Sequence, residues 1–273
     1  MPEGFEGWDD YAPFYDWENA RTLGRRDVPF WRTLALNAGG PVLELGCGTG
    51  RIALPLGRAG AHVIGIDRSD AMLVRARKRL RRSRMLGRVD LVRGDIRHLP
   101  FAAGSGRRRR VSSINDPRPL FPLVIAPYGI LQSLLREKDL AATLKSVHDV
   151  LEPGGTFGLE LVADLPSWEE YRKRVSLTGW RRRAGGAHVT LVETVRQDRA
   201  RHLTIFDQEF TERTGIKRKV HRFSLTFRTL SVPQMKRRLE KAGFEVTALL
   251  GDYRGGPWDE RADVWVMLAK KPG

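Results

Sequence analysis

Short apolar runs alternate with amphipathic runs through the first 160 residues of the chain. The apolar runs have strand length and few charges, as buried strands do, and they lie at 41–45, 61–66, 89–93, 123–126 and 156–162. Apolar positions at helical spacing predict helices at 28–37, 51–58 and 70–86. Strands that alternate with helices predict an α/β fold with a doubly wound, largely parallel sheet.

A different pattern follows the fifth strand. Residues 166–174 carry an aromatic face and predict a helix, and three runs with period-two alternation then occur at 189–196, 202–211 and 220–230. Turn-forming residues bound these runs, which predicts a small antiparallel sheet inserted into the fold. A capped helix at 231–243 and two strands at 244–250 and 262–269 close the chain.

Three glycines at alternate positions, Gly46, Gly48 and Gly50, connect the first strand to the next helix. A strand, a glycine loop and a helix together bring backbone close to a nucleotide-like ligand. Glycine permits positive φ and has no Cβ to block that approach. Cys47 lies inside the loop, and we interpret it as a small filler whose backbone contacts the ligand.

Two carboxylates restrict the chemical identity of the expected ligand. Glu44 precedes the glycines, where its charge would repel a pyrophosphate but suit an ammonium group. Asp67 ends the second strand, where an acidic residue accepts hydrogen bonds from both ribose hydroxyls. An ammonium group and a ribose without phosphate describe S-adenosylmethionine. The alternative is a tight strand–helix turn that binds no ligand.

The stretch Glu-Leu-Gly-Cys-Gly-Thr-Gly, together with Gly-Ile-Asp, resembles the first two motifs of the class I S-adenosylmethionine-dependent methyltransferases. The resemblance covers residues 41–155 and implies a seven-stranded, Rossmann-like sheet. The inserted strands resemble the β lid of amino-sugar N,N-dimethyltransferases and glycine N-methyltransferase-like enzymes. We therefore expect a cofactor-binding core at 1–164 and 230–273 and a substrate lid at 165–229.

The resemblance also implies the cofactor site. Met72 would pack near the adenine, and Asp95 and Ile96 would contact the adenine amine and ring. Ala126 ends the fourth strand and is expected beside the transferable methyl group. The full expected set is Tyr11, Glu44, Gly46, Cys47, Gly48, Gly50, Asp67, Arg68, Met72, Asp95, Ile96 and Ala126.

Tyr15 and Tyr128 are the candidates for the reaction chamber. In the relatives, tyrosines of the leading segment touch the methionine moiety or the substrate, and Tyr11 and Tyr15 match them. Alternatively, these two tyrosines pack an N-terminal helix onto the core and touch no ligand. Tyr128 is expected either to orient an amine or hydroxyl or to form a pocket wall. His221 is a further candidate base, and the histidines of the insertion lack the spacing of a metal site.

Near the fourth strand, the sequence differs from the pattern of these relatives at two places. An arginine-rich stretch at 102–120 replaces a short crossing, with its composition typical of a loop. Phe121-Pro122 replaces the usual Phe-Asp that opens the strand, and a proline is expected only at the first strand residue.

Composition excludes some classes of function. Hydrophobic residues make up 41%, no apolar run reaches the roughly 20 residues of a membrane span, and the first residues do not form a signal peptide. One cysteine fits a reducing cytoplasm. The net charge of +16 would suit nucleic acid, but 38 of the 48 basic residues are arginine and they are scattered.

These patterns predict methyl transfer from S-adenosylmethionine to a nitrogen or oxygen of a small molecule, with no metal. An RNA or protein methyltransferase that docks through its basic surface is one alternative. A cofactor-binding protein without catalysis is another.

Overall fold

A computed structural model describes residues 3–22, 24–83, 88–101, 121–162, 169–181, 186–262 and 264–273. The chain divides into two compact units. The large unit comprises Arg26–Leu131, Arg136–Ala163 and Ser231–Gly273. The small unit comprises Met1–Arg25, Gln132–Leu135 and Asp164–Leu230. The expected division at 164 and 230 stays a prediction, and the arginine-rich stretch at 102–120 lies outside the described residues.

The large unit contains a seven-stranded sheet. Its strands are β1 (Val42–Leu45), β2 (Val63–Asp67), β3 (Val89–Arg93), β4 (Phe121–Ala126), β5 (Leu151–Val162), β10 (Glu245–Leu250) and β11 (Val264–Lys270). The strand order is β10-β11-β5-β4-β1-β2-β3. The five strands from β5 to β3 are parallel, whereas β11 is antiparallel to both of its neighbours.

Helices of the large unit follow the predicted pattern closely. They are α2 (Val28–Asn37), α3 (Ala53–Arg58), α4 (Asp70–Arg82), α5 (Glu137–Val150) and α6 (Val232–Lys241). Ser69 caps α4 by accepting from the Met72 amide, and Ser231 forms a capping box with Gln234 at α6. Such caps satisfy amides that have no partner within the helix.

Strand β1 lies at the middle of the sheet, and all four of its residues are buried. Val42 pairs with Val63 on one side and with Leu123 on the other. Burial on both faces explains the continuous apolar run in the sequence, because a parallel sheet is covered on both sides. The carboxyl ends of β1, β2 and β4 consequently lie side by side.

Strand β4 begins two residues earlier than predicted, so Pro122 is its second residue. The pairing with β5 shifts register between Phe121 and Leu123. This irregularity accommodates a residue that has no amide to donate.

The small unit contains helix α1 (Trp8–Asn19) and a four-stranded antiparallel sheet of β6 (Tyr171–Arg181), β7 (Ala187–Asp198), β8 (Leu203–Thr214) and β9 (Lys217–Arg228). Aromatic rings join helix and sheet, since the Phe14 ring stacks on that of Phe210 with centroids 4.1 Å apart. Phe223 of β9 adds to this cluster.

The predicted helix at 166–174 is wrong where the structure describes it, because Tyr171 and the residues after it form strand β6. Residues 163–168 lie outside the described part of the chain. Two register shifts, between Tyr171 and Arg174 and between Val175 and Leu177, interrupt the alternation of β6. These irregularities hide the period-two signal on which strand prediction depends.

Candidate active site

The glycine loop connects β1 to α3 in a left-handed conformation. The φ angles of Gly46, Gly48 and Gly50 are +62°, +53° and +75°. A Cβ on Gly46 would lie 2.5 Å from the side chain of Ile130, whereas a Cβ on Gly48 would meet nothing closer than 3.9 Å. Gly46 is therefore fixed by packing, while Gly48 leaves open space in which a ligand can approach the backbone.

Asp67 holds the loop from the end of β2. Its Oδ2 accepts from the Gly48 amide at 2.7 Å, and its Oδ1 accepts from the Ser69 amide at 2.8 Å. Each carboxylate oxygen can accept a further hydrogen bond. The expected place of Asp67 beside a ribose is thus compatible with its role in fixing the loop.

Glu44 is a buried carboxyl group, and one of its oxygens accepts no hydrogen bond from the described residues. Its side chain is 2% exposed, the Ala53 amide donates to it, and its Oε2 has no hydrogen-bond partner among the described residues. Burial raises the pKa of Glu44 to about 8, although the charge of Arg51 opposes that rise. An ammonium ligand would stabilise the ionised form of this buried carboxyl group. The group expected at this position, the amine of S-adenosylmethionine, therefore fits.

Cys47 points into the sheet. A Cβ added to Gly65 of β2 would lie 2.9 Å from the Cys47 sulfur, so the thiol fills the space above that glycine. Burial raises the pKa of the thiol well above its ordinary range, which makes Cys47 unsuited to act as a nucleophile. Its amide donates to the Ile66 carbonyl at 3.0 Å.

Asp95 follows β3 and is held by two arginines. Arg97 donates to Asp95 Oδ2 at 2.6 Å, and Arg68 lies 3.4 Å from the same oxygen. Burial alone would raise the pKa of Asp95, but the hydrogen bonds and the charges of the two arginines hold it below its ordinary value. The side chains of Ile96 and Met72 are 9% and 2% exposed, as expected of apolar walls. Ala126 is buried at the end of β4.

Charged residues that were not expected from the sequence contact the ring and the backbone of Tyr128. Arg51 makes two 2.7 Å hydrogen bonds to the buried Asp27, and its guanidinium lies 5.0 Å from the centre of the Tyr128 ring. The Tyr128 amide donates to the buried Glu160, which also accepts from the Tyr253 hydroxyl at 2.9 Å. Tyr128 itself has a φ of +58°, which is uncommon for a residue other than glycine.

Burial raises the pKa of Glu160 to about 7. A charged residue inside the apolar run 156–162 was the sequence signal for this group. Its partners could not be read from the sequence because they come from distant parts of the chain.

Tyr11 and Tyr15 lie in the small unit, on α1. Their rings are 5.6 Å apart, and Tyr11 also meets Phe223 at 5.7 Å. His221 lies edge-on to Phe14 and 3.5 Å from Glu212. In the described part of the chain, no three potential metal ligands come together, and no helix there is long and apolar enough to cross a membrane.

Comparison with known proteins identifies the part of the chain that carries this site. Residues 42–155 match a family model described as a methyltransferase domain. This segment contains the glycine loop and the residues that end β1, β2 and β4.

Residues 42–155 are a methyltransferase domain. The demethylmenaquinone methyltransferase of Lactobacillus johnsonii is 30% identical over 176 residues, which cover 59% of this chain and 64% of that protein. The cypemycin N-terminal methyltransferase of a Streptomyces species is 28% identical over 237 residues, which cover 85% of this chain and 84% of that protein.

Solved structures share the fold over most of the length of this chain. An S-adenosylmethionine-dependent methyltransferase from Clostridium acetobutylicum superposes with a TM-score of 0.74 at 17% identity, covering 96% of this chain and 99% of that one. The glycopeptide N-methyltransferase MtfA, complexed with S-adenosylmethionine, has a TM-score of 0.54 at 25% identity and covers 90% of this chain and 94% of that one.

These findings confirm three predictions: the class I fold with an inserted antiparallel sheet, a methyltransferase domain, and S-adenosylmethionine as the methyl donor of that domain.

Proposed function

We propose that the whole chain transfers a methyl group from S-adenosylmethionine to an amine nitrogen of a small molecule. The assignment of the methyl donor rests on one observation. The buried Glu44 Oε2 atom has no hydrogen-bond partner among the described residues, and it lies before a glycine loop whose Gly48 amide is held by Asp67. The assignment of the acceptor is supported by the cypemycin relative, whose name states an N-terminal acceptor and whose alignment covers 85% of this chain. A hydroxyl is the alternative acceptor.

In this proposal Glu44 holds the ammonium of the donor, and the open space at Gly48 lets the donor approach the backbone of the loop. Asp67 accepts from the ribose, while Met72 and Ile96 contact the adenine. The bound donor supplies a sulfonium-activated methyl group that a neutral amine attacks directly. The protein residues therefore serve mainly to align the two molecules and to exclude water.

Asp95 takes a more limited part than the sequence suggested. Because Arg97 and Arg68 already donate to it, an adenine amine would use a remaining lone pair of a carboxylate whose position is fixed. Arg68 thus acts through Asp95 in this proposal. The two arginines keep Asp95 ionised and therefore able only to accept hydrogen bonds.

Tyr128 is proposed to form the wall of the reaction chamber at the carboxyl end of β4, beside Ala126. The Arg51 guanidinium and the Glu160 carboxylate hold its ring and its amide, which supports a fixed rather than a mobile position. Tyr15 keeps its expected role as a second acceptor-facing group, and Tyr11 its expected contact with the donor.

A small-molecule acceptor is preferred to a nucleic acid because several of the arginines are already paired with carboxylates. Arg51 binds Asp27, Arg97 binds Asp95 and Asp139, and Arg238 binds Glu137. Arginines paired in this way contribute little to a continuous basic surface. We also propose a cytoplasmic location, which the single, buried thiol of Cys47 supports.

A screen with methyl-labelled S-adenosylmethionine tests the function. We expect label to move to primary or secondary amines and not to their hydroxyl or methyl isosteres, and we expect Glu44→Gln to slow the transfer. Transfer only to RNA or protein, with a steep dependence on salt, would refute a small-molecule acceptor. Donor binding without transfer to any of these acceptors would refute catalysis.

A further inference from the structure

A polar pair interrupts the apolar face of the small sheet. Glu193 interrupts a series of buried apolar residues on one face of β7, which comprises Val189, Leu191 and Val195. Gln208 interrupts the corresponding series of β8 between Phe206 and Phe210. The register places Glu193 directly opposite Gln208. Their side chains are 8% and 5% exposed, respectively, so a carboxylate and an amide are held within aromatic and aliphatic surroundings.

The pair does not satisfy its own hydrogen-bonding capacity. The amide of Gln208 donates to Glu193 Oε2 at 2.9 Å, and the Tyr171 hydroxyl donates to Glu193 Oε1. The Oε1 atom of Gln208 is buried and finds no partner among the described residues. A buried oxygen of this kind is uncommon and calls for a donor.

Glu18 of α1 adds a second carboxylate. Its Oε2 is buried without a hydrogen-bond partner in the described part of the chain, while Tyr11 donates a hydrogen bond to the same side chain. Burial, together with the charge of Glu193, raises the pKa of Glu18 to about 7. Two like charges in an apolar setting repel each other unless a cation or a proton is shared between them.

No such cation is contributed by the described residues. None of their ion pairs includes Glu18 or Glu193, and Arg21, which is near Glu18 in the sequence, donates to the carbonyls of Trp17 and Trp180. A buried anion without a counter-ion is costly to the fold.

We propose that Glu18, Glu193 and Gln208 form a binding site for an organic ammonium group, with Tyr171 orienting Glu193. This inference rests on the proposed function, because the ammonium group is assigned to the methyl acceptor, whose proton passes to a carboxylate of the site before the neutral amine attacks. Three acceptor groups match the three N–H donors of a primary ammonium. The neighbouring rings of Phe206 and Phe210 suit an apolar or aromatic substituent on that amine.

Phenethylamine and 2-phenylethanol test the site, because they share an apolar part and differ in charge. At neutral pH the amine is protonated, as lysine is. Calorimetric titration into the full chain should show the amine binding at least about tenfold more tightly than the alcohol, as charge-assisted hydrogen bonds provide. Glu193→Gln should remove this preference, and Gln208→Leu should reduce it.

Glu209→Gln is the matched control, since Glu209 lies next to Gln208 on β8 but forms an exposed pair with Arg222. It should leave the preference for the amine unchanged. Glu18→Gln is a second test should Glu193→Gln fail to melt cooperatively. Equal binding of amine and alcohol to the wild type, or a preference that survives in folded Glu193→Gln and Glu18→Gln, would overturn the site.

The same titrations separate this inference from the proposed function. If phenethylamine binds as expected but the labelled-donor screen finds no amine acceptor, the amine-methylation proposal fails and the ammonium site stands. If amines are methylated but Glu193→Gln changes neither their KM nor the amine preference, the site fails and the function stands.

Discussion

Replacing Glu44 with glutamine should stabilise the unliganded protein and weaken its binding of S-adenosylmethionine. The pKa of Glu44 rises from an ordinary 4.5 to about 8, which corresponds to a ceiling of roughly 5 kcal/mol for ionising it in the folded state. Because the folded pKa lies above the unfolded one, wild-type stability falls as the pH rises from 4.5 to 8 and is constant above that range. Glutamine carries no such charge.

Urea unfolding of both proteins at pH 5 and pH 8.5 measures this effect. The free energy of unfolding of Glu44→Gln relative to wild type should increase between pH 5 and pH 8.5 by as much as about 4 kcal/mol. Glu245→Gln, at an exposed position on β10, is the control and should show no such increase. A difference that stays constant with pH would refute the assignment of a buried, ionising Glu44.

Donor binding should change in the opposite sense. An ammonium that binds the carboxylate makes a charge-assisted hydrogen bond worth about 1.5–3 kcal/mol, so Glu44→Gln should lower the affinity for S-adenosylmethionine by roughly 10- to 100-fold at pH 8.5. Wild-type affinity should rise with pH toward 8 as Glu44 ionises, and that rise should be absent in the variant. Equal affinities at pH 8.5 would show that Glu44 does not contact the donor.

Three further predictions concern the frame of the site. Gly46→Ala should destabilise the protein by more than Gly39→Ala in thermal unfolding, because both residues have positive φ but only Gly46 would clash, with a side chain 2.5 Å away. Arg51→Met should lower the free energy of unfolding by about 3–5 kcal/mol in urea, since it leaves Asp27 buried and unpaired. Asp95→Asn should lower stability at pH 7 through the loss of charge-assisted hydrogen bonds, and this difference should shrink as acid protonates the wild-type carboxylate below its ordinary pKa of 3.8.

Local signals made the large unit predictable. The limits of α2 agree with the predicted 28–37, because a proline follows its first residue and glycines follow its end. The three glycines predicted the loop, since glycine adopts the positive φ angles that this tight turn from strand to helix requires. Glu44 was expected beside the loop because it lies two residues before Gly46, and Asp67 because it ends the next strand. Their contacts with a donor stay predictions.

Tertiary partners could not be predicted in the same way. The Arg51 network joins residues that are far apart in the chain, so only the fold reveals that Asp27, Tyr128 and Glu160 meet. Strand β6 was missed because its register shifts break the alternation. The partner of Asp95 was predictable from the sequence, because Arg97 follows it by two residues and the two side chains can form a local ion pair.

Calorimetric titration of S-adenosylmethionine into the full chain shows whether the glycine loop and Asp67 form a donor site. We expect one donor molecule to bind per chain and Asp67→Asn to bind it at least about tenfold more weakly, because charged hydrogen bonds are lost. Binding should be unchanged in Asp149→Asn, whose carboxylate forms an exposed pair with Lys145 on α5. Absence of binding by the wild type, or equal binding by Asp67→Asn, would contradict this assignment of the donor site.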